Sequence, residues 1–252
     1  MSQKSRSLSI SHHRDNPFSL SLGDLMAALT LIFALLMSAT LLQLESDLKL
    51  KRELAVREEQ TARKIQLIAH TYRRLQDELY QDLNREFREE LNAWSAVIDR
   101  KSLSIRFREP EVFFGRGDTR IKETFKQILN SFFPRYIALL AQPRYRATIE
   151  EIRIEGHTSS EWSTDVDAQT AYIRNMRLSQ DRTRSVLQYS LALIADPALK
   201  EWARSKITAN GLSSSRQVMV DGLEDREASR RVEFRVRTDA EKRIGEILKT
   251  AK

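Results

Sequence analysis

From Leu25 to Leu42 the chain reads LMAALTLIFALLMSATLL, without a single charge. A helix of that length, rising ~1.5 Å per residue, spans about 27 Å, close to the hydrocarbon thickness of a bilayer. Extension back through Phe18-Ser19-Leu20-Ser21-Leu22-Gly23 leaves room for tilt, and the pattern predicts a transmembrane helix over 18–44. Lys4, Arg6 and Arg14 precede it, so the positive-inside bias places the tail 1–17 in the cytoplasm. Lys49, Lys51 and Arg52, just beyond the span, weaken that bias. A cleaved signal peptide is the competing reading. It fits less well: the apolar run exceeds an ordinary signal core, no A-x-A site follows, and Asp24 stands near its start.

Asp24 is the informative residue of this segment. A carboxylate in a spanning helix costs on the order of 2.5–3.5 kcal/mol at the bilayer centre and less toward an edge. Such a group faces a partner helix or a wet cavity, where desolvation favours its neutral form. An acid that can be protonated, moved and deprotonated is what an ion-driven machine needs. Position alone equally allows an interfacial residue at the start of the helix.

Around this segment the composition excludes more than it identifies. The 252 residues carry a formal charge of +7, which suits nucleic acid, anionic lipid or an acidic polymer. There is no cysteine, which excludes disulfides, thiolate metal sites and a lipid-modified cysteine anchor. His12, His13, His70 and His157 show no metal-ligand spacing, so neither a metal nor a cofactor is expected. No nucleophile–base pair or phosphate loop appears, and the chain does not read as an enzyme.

Residues 45–99 form a spacer rich in Arg, Glu, Leu and Gln, all good helix formers. Ile65, Ile68, Tyr72, Leu75 and Leu79 alternate steps of three and four, a coiled-coil seam that favours a parallel dimer. Leu83, Phe87 and Leu91 then step by four, which locally unwinds such a supercoil. A single helix lying against the following domain is the other reading. At 1.5 Å per residue the spacer would reach roughly 80 Å.

Over 100–240 short strands alternate with helices. Leu103–Phe107 alternates with period two, Thr119–Phe133 has helical spacing interrupted by Pro134, and Ile149–Gly156 alternates again. Asn175–Leu193 reads as an amphipathic helix on Leu178, Val186, Leu187 and Leu191. Pro197–Lys206 reads as a helix, Ile207–Ala209 as a short strand and Val232–Val236 as the last strand, with 241–252 a tail. The fold class is α+β: a βαβαβ order with a mixed sheet covered by helices.

Leu22-Gly23-Asp24-Leu25-Met26-Ala27-Ala28-Leu29, with Phe33 beyond, resembles the start of the single transmembrane helix of flagellar stator B subunits, the MotB-like proteins. The resemblance implies that Asp24 carries the transported ion, a proton first and sodium second. Farther on stand Glu155-Gly156-His157-Thr158, then Asn175, Leu178, Ser179, Arg182 and Val186, then Ser229-Arg230-Arg231-Val232-Glu233. In order and spacing these are similar to the OmpA-like peptidoglycan-binding domain. That resemblance implies that Arg182 binds a carboxylate of the wall peptide's diaminopimelate, with Asn175, Leu178, Thr158 and Ser159 shaping the pocket. Guanidinium, a permanent bidentate donor, suits that task. The family's aspartate after Gly-His-Thr, which pairs with the ligand's ammonium, is Ser159 here. The insertion from Ser160 to about Thr170 supplies Asp165 and Asp167 as substitute acids. The tripeptide Arg116-Gly117-Asp118 carries no weight, and Arg230 and Arg231 read as strand-end scaffold.

Within this superfamily the long spacer, the Gly156-His157-Thr158-Ser159-Ser160 variant and the Glu227–Glu233 ending most resemble B subunits of Zorya anti-phage defence systems. The resemblance implies a single-pass inner-membrane protein with a periplasmic C-terminal domain. It implies a homodimer inside a pentamer of a multi-pass MotA-like A subunit, bound to peptidoglycan, signalling to cytoplasmic effectors through that subunit and touching no nucleic acid directly. A flagellar stator subunit and a passive envelope tether are the rival readings.

Overall fold

A computed structural model describes residues 17–108, 113–115, 117–163 and 165–250. The chain divides into two compact units, Met1–Gln60 and Thr61–Lys252. Helix α1 (Pro17–Phe87) begins in the first and ends in the second. In the first unit its apolar stretch is bare: Leu25, Leu29, Phe33 and Leu36 are each at least 60% exposed. Among the described residues this is the one helix long and apolar enough to cross a membrane. The two threonine hydroxyls of that stretch are satisfied internally, Thr30 donating to the Met26 and Ala27 carbonyls and Thr40 to Met37, as a lipid environment demands.

The second unit is built on a five-stranded sheet. Its strands are β1 (Ala96–Asp99), β2 (Ser104–Arg108), β3 (Ile149–His157), β4 (Ile207–Gly211) and a last strand, Arg231–Thr238. Between them lie α2 (Glu123–Leu140), α3 (Pro143–Arg146), α4 (Ala168–Ala192) and α5 (Pro197–Lys206). A small hairpin, β5 (Met219–Val220) and β6 (Leu223–Glu224), and the turn α6 (Arg226–Ser229) precede that last strand, β7, and α7 (Ala240–Thr250) follows it. The order is β1-β2-β7-β3-β4, antiparallel except for the β3–β4 pair, which α4 and α5 connect.

The period-two pattern sorts the two faces. Ile105, Phe107, Ile152, Ile154, Val232, Phe234 and Val236 point into the core. Phe132 of α2 is its aromatic hub, with ring centres 5.2 Å from Phe107, 5.0 Å from Phe234 and 5.2 Å from Phe87. The opposite face alternates charges, among them Arg106, Arg153, Glu155, Glu233 and Arg235.

Several boundaries differ from those expected. The helix of the spacer stops at Phe87, and β1 lies within the stretch assigned to the spacer. Leu79, Leu83 and Phe87 are buried in the core of this same unit, so that part of the apparent seam packs against its own domain. Arg135 fastens the end of α1 and the turn after it, 2.7 Å from Glu86 and 2.6 Å from Glu90. Pro134 does not end its helix: α2 runs through it, because Phe132, Phe133, Tyr136, Ile137 and Leu140 on either side are fully buried. An interior proline costs ~3 kcal/mol, and each such buried side chain returns about 1.5–3 kcal/mol. The segment read as a tail holds α7, whose start Asp239 accepts a hydrogen bond from the Tyr72 hydroxyl of α1.

Candidate functional site

β3 ends at Gly156-His157, and α4 crosses close over that end. A Cβ at Gly156 would lie 2.7 Å from the Thr183 methyl and 2.9 Å from the Ser179 carbonyl; at Gly211 of β4 it would lie 2.2 Å from the Gln180 nitrogen. This contact decides which face α4 buries. Its buried residues are Ala171, Asn175, Ser179, Thr183, Val186 and Ser190, mostly small or polar, while Leu178 and Leu187 are only half-buried. Of the apolar residues read from the sequence, Val186 lies on this contact face, while Leu178, Leu187 and Leu191 mark a flanking stripe.

The loop after β3 is held from three sides. The Thr158 amide donates to the Ser213 carbonyl at 2.9 Å. The Asn175 side-chain amide donates to the carbonyls of Ser159, 3.2 Å, and Glu161, 3.1 Å. The Ser160 amide, at 3.0 Å, and the Ser160 hydroxyl donate to the Glu224 carboxylate of the hairpin, and Arg226 pairs with Glu161 at 3.1 Å. Thr158, Ser159 and Asn175 thus come together, with the Thr158 hydroxyl buried and without a hydrogen-bond partner among the described residues.

Other expected residues lie differently. Arg182 stands two turns along α4 from Asn175. Its Nε donates to the Asp118 carbonyl at 2.9 Å and one terminal nitrogen to the Gly115 carbonyl at 3.0 Å, while the guanidinium stacks on Phe114 at 4.9 Å. It closes the 113–120 loop onto the helix. Asp167 caps α4, accepting from the Thr170 amide and hydroxyl at 3.0 and 2.7 Å, which occupies it as a substitute acid. Asp165 is exposed. Glu224, which no sequence signal singled out, is the carboxylate hydrogen-bonded to this loop.

A second cluster sits at the same end of the sheet. Glu155, His157, Arg231 and Glu233 are all buried. Glu233 accepts from Arg231 at 2.6 Å and from Arg106 at 2.9 Å. Burial alone would raise its pKa; those two guanidiniums outweigh it and hold the group at about 2. Burial, with Arg231 nearby, pushes His157 below its usual value. Glu155, His157 and Glu233 offer metal-ligand atoms within 4.8 Å of one another. Arg153, Arg216 and Arg235 stand 3.8–4.0 Å from Glu155, however, and their charges oppose a cation. The cluster reads as an ion-paired brace beneath the Gly156–Ser160 loop.

The chain is 38% identical to the Zorya protein ZorB of Escherichia coli over 238 residues, covering 93% of this chain and 94% of that one. The chain belongs to the ZorB family. No general protein-family model matches it. Among solved structures, the ZorB-family chain is similar to a MotB-like protein from Desulfovibrio vulgaris (23% identity, TM-score 0.43, covering 65% of this chain and 99% of that one). It is similar to the cell wall anchor of the T6SS from Pseudomonas aeruginosa (20%, TM-score 0.42, covering 62% and 96%). The periplasmic domain of Helicobacter pylori MotB matches at 15% (TM-score 0.39, covering 58% and 84%). The architecture expected of such a chain is the one observed: a long N-terminal apolar helix, a helical spacer and a C-terminal domain of helices on a mixed sheet.

For a ZorB-family chain the first unit has one further salient residue. Asp24 is the sole charged residue between Pro17 and Leu44, and it lies on the exposed surface of α1 beside Gly23, where a Cβ would meet nothing within 4 Å.

Proposed function

We propose that this chain is the wall-anchored B subunit of an ion-driven inner-membrane motor of the Zorya type, serving anti-phage defence. The observation that carries this reading is a lone carboxylate, Asp24, on the bare apolar helix of a chain that matches a Zorya protein along nearly its whole length. A single charge on an apolar helical stretch that is bare within its own chain calls for companion helices. A second copy and a pentameric multi-pass A subunit would supply them. Residues 1–17 lie in the cytoplasm and the Thr61–Lys252 unit in the periplasm. Protons, with sodium as the second choice, pass Asp24 and turn the A ring about the fixed B dimer, and the A subunit relays that motion to cytoplasmic effectors.

In the same reading the loop after β3 and the start of α4 receive the wall peptide. Thr158, Ser159, Asn175 and Leu178 shape the pocket, and Arg182, whose guanidinium suits a carboxylate, is the group that would take one. Glu224, rather than Asp165 or Asp167, supplies the acid for the ligand's ammonium, because it is already fixed against Ser160.

Exchange of Asp24 for Asn tests the motor. Expected is loss of phage protection with unchanged membrane abundance and unchanged co-purification of a five-copy multi-pass partner. Full protection by Asp24→Asn would leave only a passive tether.

A further inference from the structure

Grooves on the Thr61–Lys252 unit differ in their charge balance. One of about 580 Å³ sets Lys206, Lys242 and Arg243 against Glu150, Asp239 and Glu246. Another, of about 390 Å³, sets Arg74, Arg144 and Arg243 against Glu78. A third, of about 270 Å³, lies between Ala69–Gln76 of α1, the β1–β2 turn and the end of β7. Its charged lining is Arg73, Lys101, Arg235 and Arg237, with no acid.

Two of these cations have carboxylate partners, and the acids nearest the other two are engaged elsewhere. Asp77 pairs with Arg100 at 2.8 Å. Asp99 accepts from the backbone amides of Lys101 and Ser102 and lies 3.5 Å from Arg106. Arg237 reaches back to Glu151 at 3.1 Å and Arg235 to Glu155 at 4.0 Å. No described carboxylate pairs with Arg73 or the Lys101 ammonium. The wall carrying Lys101 is fixed, because the Gln76 side chain donates to the carbonyls of Arg100 and Lys101 at 3.1 and 3.0 Å. Arg73 and Lys101 therefore leave the groove two positive charges that no described carboxylate balances, and a bound anion would offset them.

We propose that this groove binds a phosphate group. A planar carboxylate occupies a single guanidinium fork, whereas a tetrahedral phosphate presents oxygens to guanidiniums and an ammonium on both walls at once. The cavity exceeds one phosphate in size, so the group is either free phosphate or the phosphate of a lipid headgroup.

The test uses the full-length chain in neutral detergent, heated while its tryptophan fluorescence is followed at matched ionic strength. The additions are sodium chloride alone, inorganic phosphate, or a short-chain phosphatidylglycerol. With phosphate roughly tenfold above its dissociation constant the midpoint should rise by about 3–5 °C over chloride. The exposed double variant Arg73→Gln/Lys101→Gln should lose that rise. The variant Arg184→Gln/Arg204→Gln, whose arginines are 75% and 64% exposed elsewhere, should keep it. A rise with inorganic phosphate marks a free-phosphate site and a rise with the lipid alone a headgroup site; either supports the proposal. No rise with either ligand, or an equal rise in Arg73→Gln/Lys101→Gln, overturns it.

Discussion

Glu224 and Ser160 meet across 64 positions of sequence, and that contact fixes an acid beside the loop after β3. Exchange of Glu224 for Gln keeps an acceptor for Ser160 but removes the charge. Retention on purified peptidoglycan should fall severalfold, while Asp165→Asn, at an exposed position, leaves it unchanged. Nearby, Glu233 and His157 make a prediction about acid. Both bind protons less readily folded than unfolded. Their stabilisation is therefore complete above their unfolded pKa values and is lost as pH falls. For His157 the loss begins near pH 6.5; for Glu233 it runs from about 4.5 toward about 2, on the order of 3 kcal/mol in all. Melting temperatures measured from about pH 7 down to 2 should decline in two stages, and His157→Asn should flatten only the upper one. An unchanged upper stage in that variant would show that His157 does not titrate there.

At the scale of elements, α4 is the organiser. It packs small residues against Gly156 and Gly211, holds the β3 loop through Asn175, and grips the 113–120 loop through Arg182. The Arg182 grip needs a fork and a flat face, because it spans two carbonyls and stacks on Phe114. Lysine keeps the charge but has neither feature. In Arg182→Lys, amide exchange at the Asp118–Arg120 turn should quicken about tenfold, equivalent to roughly 1.4 kcal/mol of lost local protection, while α4 exchanges as before. Protection equal to that of the parent would show that the loop is held by other contacts.

At the scale of the whole molecule, the Thr61–Lys252 unit draws part of its core from the helix that precedes its sheet and the turns that follow that helix. Leu79, Leu83, Phe87 and Trp94 are buried in it. Four large side chains at about 1.5–3 kcal/mol each amount to roughly 6–12 kcal/mol, as much as the net stability of an ordinary domain. A fragment of residues 61–252 should therefore melt cooperatively. A fragment of 100–252, cut where the sequence pattern changes, should show no cooperative transition by circular dichroism. The sequence by itself determined what local repetition encodes. The charge-free run from Leu25 to Leu42, the lone Asp24, the alternating strands and the order of the motifs all follow from neighbours within a few positions, where side-chain period reports burial. Only the tertiary structure decided what depends on distant segments meeting: that α1 completes the core, that Pro134 is tolerated inside α2, that α4 buries its small face, that Asp167 is spent as a cap and Glu224 brought to the loop. Periodicity shows that a face is covered, whereas the identity of its cover is set by packing across the whole chain.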